Sequence, residues 1–131
     1  MINVSCAIII DDENRVFVAQ RSTEMHLPLK WEFPGGKVEE DETAEESLVR
    51  EIKEELGIEI EIIRPLDPNT HVYGEKTIHL IPFRSKIRQG SIHLKEHAAY
   101  LWVNPNHLLD LDWAEADIPI AKALLNLYDE I

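Results

Sequence analysis

Glu51, Glu54 and Glu55 stand close together in the chain, with Arg50 immediately before them. On a helix turning about 100° per residue, the three glutamates fall within one arc of about 100°. Carboxylates crowded on one arc repel each other unless something positive lies between them. Hard divalent cations suit such a cluster. Mg²⁺ prefers oxygen ligands, keeps some water, and is usually held by a few carboxylates together with substrate phosphates. Gly35 and Gly36 lie just upstream, where backbone without a side chain can approach a metal or a phosphate closely, and Lys37 follows as a phosphate partner. The local chemistry points to metal-assisted work on a phosphorylated substrate. A plainer reading stands beside it: a Glu-rich helix is a solvated face laced by i, i+4 pairs, here Glu46 with Arg50 and Arg50 with Glu54.

The elements that must position these residues can be read from periodicity. Ala44, Leu48, Ile52 and Leu56 repeat every four residues, Thr43 is placed as an N-cap with Glu46 three residues on, and Gly57 is a natural stop. The spacing predicts a helix over 43–56, with the glutamates bordering its apolar stripe. Residues 58–62 alternate with period two and read as a half-buried strand. Upstream, the β-rich runs 4–10 and 15–21 flank a polar turn at 11–14 and read as a hairpin. A looser stretch follows, punctuated by Pro28 and Pro34. Further strands are expected near 70–73 and 76–87, joined through Gly74-Glu75, and at 98–103 after a Gly90 turn. A short helical piece near 105–110 precedes a helix at 118–129, whose face carries Ile118, Ala121, Leu124, Leu125 and Tyr128. With no repeat, low-complexity tract or linker, residues 1–131 read as one α+β domain.

Charge narrows the function classes. The 131 residues carry 13 Lys+Arg against 25 Asp+Glu, a net charge of −12. Residues 39–61 hold 11 acids and 2 bases, so −9 of that −12 sits in one block. Such a balance disfavours direct polynucleotide binding, which needs a basic face. Cys6 is the only cysteine, so no intrachain disulfide forms, which suits the cytosol. No apolar run approaches the roughly 18 residues a membrane span needs, and the N-terminal run lacks a basic leader, so a cytoplasmic protein without membrane contact is expected.

Gly36, Glu42, Arg50-Glu51-Ile52, Glu54-Glu55 and Gly57-Ile58, at these spacings, resemble the Nudix box in full. At the chain's own residue frequencies the odds of that match are on the order of 10⁻⁸ per starting position. Trp31-Glu32-Phe33-Pro34-Gly35-Gly36-Lys37, Val18-Ala19-Gln20-Arg21 and Ala116-Asp117-Ile118-Pro119 are similar to the MutT-type branch of that family, so the resemblance runs over about residues 3–125. It implies the Nudix fold, a mixed β-sheet core sandwiched between helices. It also implies hydrolysis of a nucleoside triphosphate to the monophosphate and pyrophosphate with Mg²⁺, or alternatively Mn²⁺, by a monomer or homodimer. Within the branch the expected substrate is 8-oxo-dGTP, in a nucleotide-pool sanitising role linked to DNA repair. The alternative is CTP or dCTP, and a further alternative is a nucleotide-binding module without catalysis.

Carried over residue by residue, the resemblance implies that the Gly35 carbonyl and the Glu54 and Glu55 carboxylates bind metal. Glu51 is a metal ligand or the general base, and Arg50 orients the cluster. Glu96 matches a metal-binding or catalytic acid supplied by a distant loop, with an ordinary exposed loop acid as the alternative. Arg21, Gly36, Lys37 and Lys76 are expected at the phosphates. Phe33 is expected to stack on the base, or else to be core. Asp117 would accept hydrogen bonds from a base edge that offers donors, found on guanine and on cytosine, or else cap the last helix. Glu42 has two readings, a helix-start charge and an outer-shell metal role. His93-Leu94-Lys95-Glu96-His97 also fits the inverted zinc-protease pattern, but that pattern needs a helix where none is expected. No histidine needs a metal role; His26, His71, His79 and His107 read as surface or partly buried polar residues.

Overall fold

The computed structural model describes residues 1–127. Its elements are β1 (Ile2–Ile9), β2 (Val16–Gln20), β3 (Trp31–Glu32), β4 (Gly35–Lys37), α1 (Ala44–Leu56), β5 (Glu59–Pro65), β6 (Asn69–Tyr73), β7 (Lys76–Gln89), β8 (Ala99–Val103) and α2 (Ile118–Leu127), with 3-10 turns at Pro105–Asp110 and Glu115–Asp117. The strands form two sheets. One runs β4-β1-β7-β5 with β6 also on β7, and the other runs β3-β2-β8. β1 and β7 are parallel, whereas β4 pairs antiparallel with β1, so the main sheet is mixed.

The apolar run in β1 is explained by burial on both faces. Cys6, Ile8 and Ile10 join Leu80, Ala121 and Leu124 in one cluster on the α2 side. Ala7 and Ile9 join Leu48, Ile52 and Leu56 of α1 in the other. β2 divides the same way, Val16 and Val18 to one side and Phe17 and Ala19 to the other. A strand covered on both faces reads as a continuous hydrophobic run, because neither set of side chains meets water. The result is the expected α+β sheet core between helices. Among the described residues no helix is long and apolar enough to cross a membrane.

α1 forms where its periodicity places it. The Thr43 hydroxyl accepts the Glu46 N–H, the Glu46 carboxylate accepts the Thr43 N–H, and Gly57 closes the helix at φ 71°. Committing Glu46 to this capping box removes it from the expected pairing with Arg50; the Arg50–Glu54 pair does form, at 3.4 Å. The expected hairpin over 4–21 is a correction. The polar turn exists, with Asp11 accepting the Glu13 and Arg15 N–H groups. Yet β1 already has β4 and β7 on its two edges, so the chain passes into the second sheet and only the Ile10–Val16 bridge joins the runs. The stretch around Pro28 and Pro34 contains two short strands, β3 and β4, whose ladders are with β2 and β1. On α2, Ile120 is buried beside Ala121 and Leu124, while Ile118 and Leu125 are only partly buried. Tyr128 and the expected last turn lie outside the described residues.

Leu48 is fully buried on the α1 face next to the glutamate arc. Leu48→Ala should therefore cost about 2–5 kcal/mol, the range for a core leucine that leaves a cavity. Urea unfolding with an unchanged m-value measures this. A loss below about 1 kcal/mol would mean that α1 does not pack as described.

Candidate active site

The acidic face of α1 is organised by one guanidinium. Arg50 donates from Nε and Nη2 to the two Glu42 oxygens at 2.7 and 2.9 Å. Its Nη1 donates to Glu51 at 2.9 Å and, more loosely, to Glu54 at 3.4 Å. Glu42 therefore acts as a strut. The hydrogen-bonded cap of α1 is made by Thr43 and Glu46, and the bidentate pair of Glu42 with Arg50 holds the Glu42 carboxyl below the ordinary range. The same carboxylates raise the affinity of Arg50 for its proton.

The glycine pair is shaped by this face. Gly35 and Gly36 lie in β4, against Cys6 and Ser5 of β1. A Cβ on Gly36 would come within 2.3 Å of the Glu51 carboxyl carbon, and one on Gly35 within 1.9 Å of the Ser5 carbonyl oxygen. Only a residue without a side chain lets the Glu51 carboxylate lie against this backbone. Buried Ser47 of α1 donates to the Lys37 carbonyl at 3.1 Å, tying β4 to the helix.

Glu55 lies one turn further, its Oε2 atom buried although its side chain, like that of Glu51, is partly exposed. Burial first, then a hydrogen bond shared with Glu51 and the charges of Glu32, Glu51 and Glu96, push its carboxyl up to about 9. The 90–97 loop bends over it. His93 and Lys95 donate backbone N–H groups to the Leu56 and Glu55 carbonyls at 2.9 and 3.1 Å, satisfying acceptors that the end of α1 leaves free. The His93–His97 stretch is thus a loop and not a zinc-binding helix, and it carries Glu96 to the mouth of the cleft.

A cleft of about 1030 Å³ opens beside the cluster. Gly35, Gly36, Lys37, Glu55 and Glu96 line it, together with Arg21, Phe33, Lys76 and Asp117. Arg50, Glu51 and Glu54 stand behind the Gly36 backbone or on the helix surface and do not form its wall. Arg21 is partly committed, donating to Glu32 at 2.6 Å and to the His26 carbonyl. Phe33 is 3% exposed and its ring centroid lies 4.7 Å from that of Trp113, so it packs in the core while also lining the cleft. Its N–H donates to Asp117 Oδ2 at 2.9 Å. The bond Asp117 makes therefore crosses the fold instead of capping α2. Burial, then the charge of Glu32, pushes the Asp117 carboxyl above the usual range. Tyr73 also lines the cleft, its oxygen accepting the Ala116 N–H at 2.7 Å, which leaves the phenolic proton to be donated.

Sequence reasoning missed Tyr73, Glu32 and His97. Glu32 sits inside the quoted 31–37 run and His97 directly follows Glu96, so adjacency to named residues was their only signal.

The donor set fits a hard cation by its chemistry. The Glu55 Oε2 atom is buried without a hydrogen-bond partner, and the carboxylates of Glu32, Glu51 and Glu96 act on the same group. Among the described residues no three acidic, histidine or cysteine side chains already close around a point.

Comparison with known proteins agrees with the geometry. The NUDIX domain model matches residues 1–124. A CTP pyrophosphohydrolase of Escherichia coli K12 is 36% identical over 127 residues, 97% of this chain and 93% of that protein. An 8-oxo-dGTP diphosphatase of Proteus vulgaris is 40% identical over 79 residues, 60% of this chain and 70% of its own length. The solution structure of the E. coli ORF135 protein superposes with a TM-score of 0.85 at 36% identity, covering 97% of this chain and 90% of that one.

With its carboxyl near 9 when folded and 4.5 ordinarily, Glu55 binds more proton in the folded chain than in the unfolded chain between those values. Its contribution is complete below the unfolded value and lost as pH rises toward the folded one, so it makes the metal-free protein less stable with rising pH. In chelator, the Tm should fall more steeply with pH between 5 and 9 in the wild type than in Glu55→Gln. Parallel curves would contradict the placement of this carboxyl.

Proposed function

We propose, for a chain that belongs to the NUDIX domain family and is a hydrolase of nucleotide pyrophosphate bonds, that it converts a nucleoside triphosphate to the monophosphate and pyrophosphate with Mg²⁺. The observation that carries this reading is a cleft beside the Arg50-bound glutamates whose wall includes Gly35, Glu55 and Glu96 as well as the buried Asp117. When bound, Mg²⁺ supplies neutralisation of phosphate oxygens and of the charge that develops at phosphorus.

This chain's own residues do the rest. Glu51, Glu54, Glu55, Glu96 and the Gly35 carbonyl are the groups that would hold the metal, Mn²⁺ being an acceptable substitute. Glu51, fixed by Arg50 and backed by Gly36, also serves to take the proton of the attacking water. Lys37 and Lys76 are exposed at the cleft and meet the phosphates, assisted by the part of Arg21 that Glu32 and His26 leave free. Asp117 reads the base edge from the cleft wall, with the Tyr73 hydroxyl bonded to the N–H of the neighbouring Ala116.

Two base readings fit an acceptor there. The oxidised-guanine reading is supported by the relatives named 8-oxo-dGTP diphosphatase. The cytosine reading is supported by the CTP pyrophosphohydrolase of Escherichia coli, 36% identical over 97% of this chain, against 29% over 96% for the 8-oxo-dGTP diphosphatase of the same organism.

Pyrophosphate release from a panel of NTPs and dNTPs, including 8-oxo-dGTP, separates them. A cytosine enzyme should turn over CTP or dCTP at least tenfold better than 8-oxo-dGTP as kcat/KM, and the reverse ratio selects the oxidised purine. Glu54→Gln should reduce kcat by at least about 100-fold with the fold retained; unchanged turnover would remove Glu54 from the metal set. Asp117→Asn, which keeps an acceptor for Phe33, should raise KM for the preferred base and narrow its lead over the others by about tenfold or more. An unaltered preference would deny Asp117 a reading role.

A further inference from the structure

Each carboxylate of the cluster needs a partner that fixes its orientation. Arg50 supplies one to Glu51 at 2.9 Å and a weaker one to Glu54 at 3.4 Å. Glu55 receives nothing from Arg50, although its Oε2 atom is buried. The side chain placed to serve it is His97.

His97 is brought there by the same loop that carries Glu96. The backbone bonds of His93 and Lys95 to the end of α1, and of Ala98 N–H to the Gln20 carbonyl at 2.9 Å, leave the residue between them facing inward. Its side chain is 3% exposed. Nε2 lies 2.8 Å from Glu32 Oε2, and Glu32 is in turn held by Arg21 at 2.6 Å. The other ring nitrogen, Nδ1, is buried without a partner and lies 3.9 Å from Glu55 Oε2, which is also buried without one. Two enclosed polar atoms facing each other across a gap just longer than a hydrogen bond are costly unless the gap is closed. Drawing Glu55 towards a cation, or the loop towards α1, changes that gap directly.

We propose that His97 is the positioning residue for Glu55: anchored through Glu32 to Arg21, it sets the orientation in which Glu55 meets the divalent cation. The inference rests on the reading of Glu55 as a metal ligand. Imidazole suits this task because it is rigid and presents polar atoms on two sides, one for the anchor and one for the carboxylate. Partners of this kind commonly change metal affinity by 10- to 100-fold when removed.

The test is Mn²⁺ binding to the chelator-stripped protein, followed by electron paramagnetic resonance of the free ion, with Tm measured alongside. His97→Ala and His97→Phe should each weaken Mn²⁺ binding by about 10- to 100-fold. His97→Gln, which keeps a polar atom on the side chain, should recover a substantial part. Phe fills the imidazole volume without its nitrogens, so His97→Phe binding Mn²⁺ like the wild type would reduce His97 to packing and overturn the inference. Glu55→Gln separates the two levels of the argument. If Glu55→Gln weakens binding and both His97→Ala and His97→Phe leave it intact, the positioning role fails while the metal reading stands. If Glu55→Gln leaves binding intact, the metal reading fails and the inference with it.

Discussion

The structure depends on reconciling like charges. Glu42, Glu51 and Glu54 converge on the single guanidinium of Arg50, which sits among them with its stem on α1 and donates to each. An isolated surface ion pair contributes at most about 1 kcal/mol. A planar fork shared among several carboxylates is different, because it fixes their relative positions as well as their charge balance. The cluster remains acidic overall, and its least compensated member, Glu55, responds by holding its proton. A hard cation would relieve what Arg50 leaves uncompensated. On the proposed function, the surplus of charge in residues 39–61 is then the trace of a local site and not a general property of the surface.

The scaffold makes that arrangement possible through contacts that are individually ordinary. Leu48, Ile52 and Leu56 fasten α1 to the sheet, and this fixes the arc on which the glutamates stand. Gly36 lets the Glu51 carboxylate lie against β4, and Ser47 ties the Lys37 carbonyl to the helix. The loop before β8 fills the open carbonyls at the end of α1 and in doing so delivers Glu96 and His97 to the cleft. The same bonds thus finish a helix and build the site.

Local patterns were legible in the sequence, while long-range pairings were not. The limits of α1, its Thr43–Glu46 cap and its Gly57 stop follow from residues within one turn of each other, and all three are present. The glutamate arc follows from helix geometry alone. By contrast, the partner of β1 cannot be read from β1: its two edges are taken by strands distant in sequence, which is why a nearby hairpin partner was expected and a second sheet was found. Spacing offered Glu46 both to the Thr43 cap and to Arg50, and it does not show which of the two takes it. Glu32 and His97 are 65 residues apart, and nothing in either neighbourhood announces their contact. Phe33 reads equally as platform or core until Trp113 is seen against it.

The central claim is that the Arg50-bound carboxylates work by holding a divalent cation against a phosphate chain. It is tested most directly by pyrophosphate release from the preferred triphosphate by chelator-stripped wild-type protein, followed as Mg²⁺ is restored. The account predicts no release above background without the ion and a saturable return of activity with it. Undiminished release in the presence of chelator would contradict it.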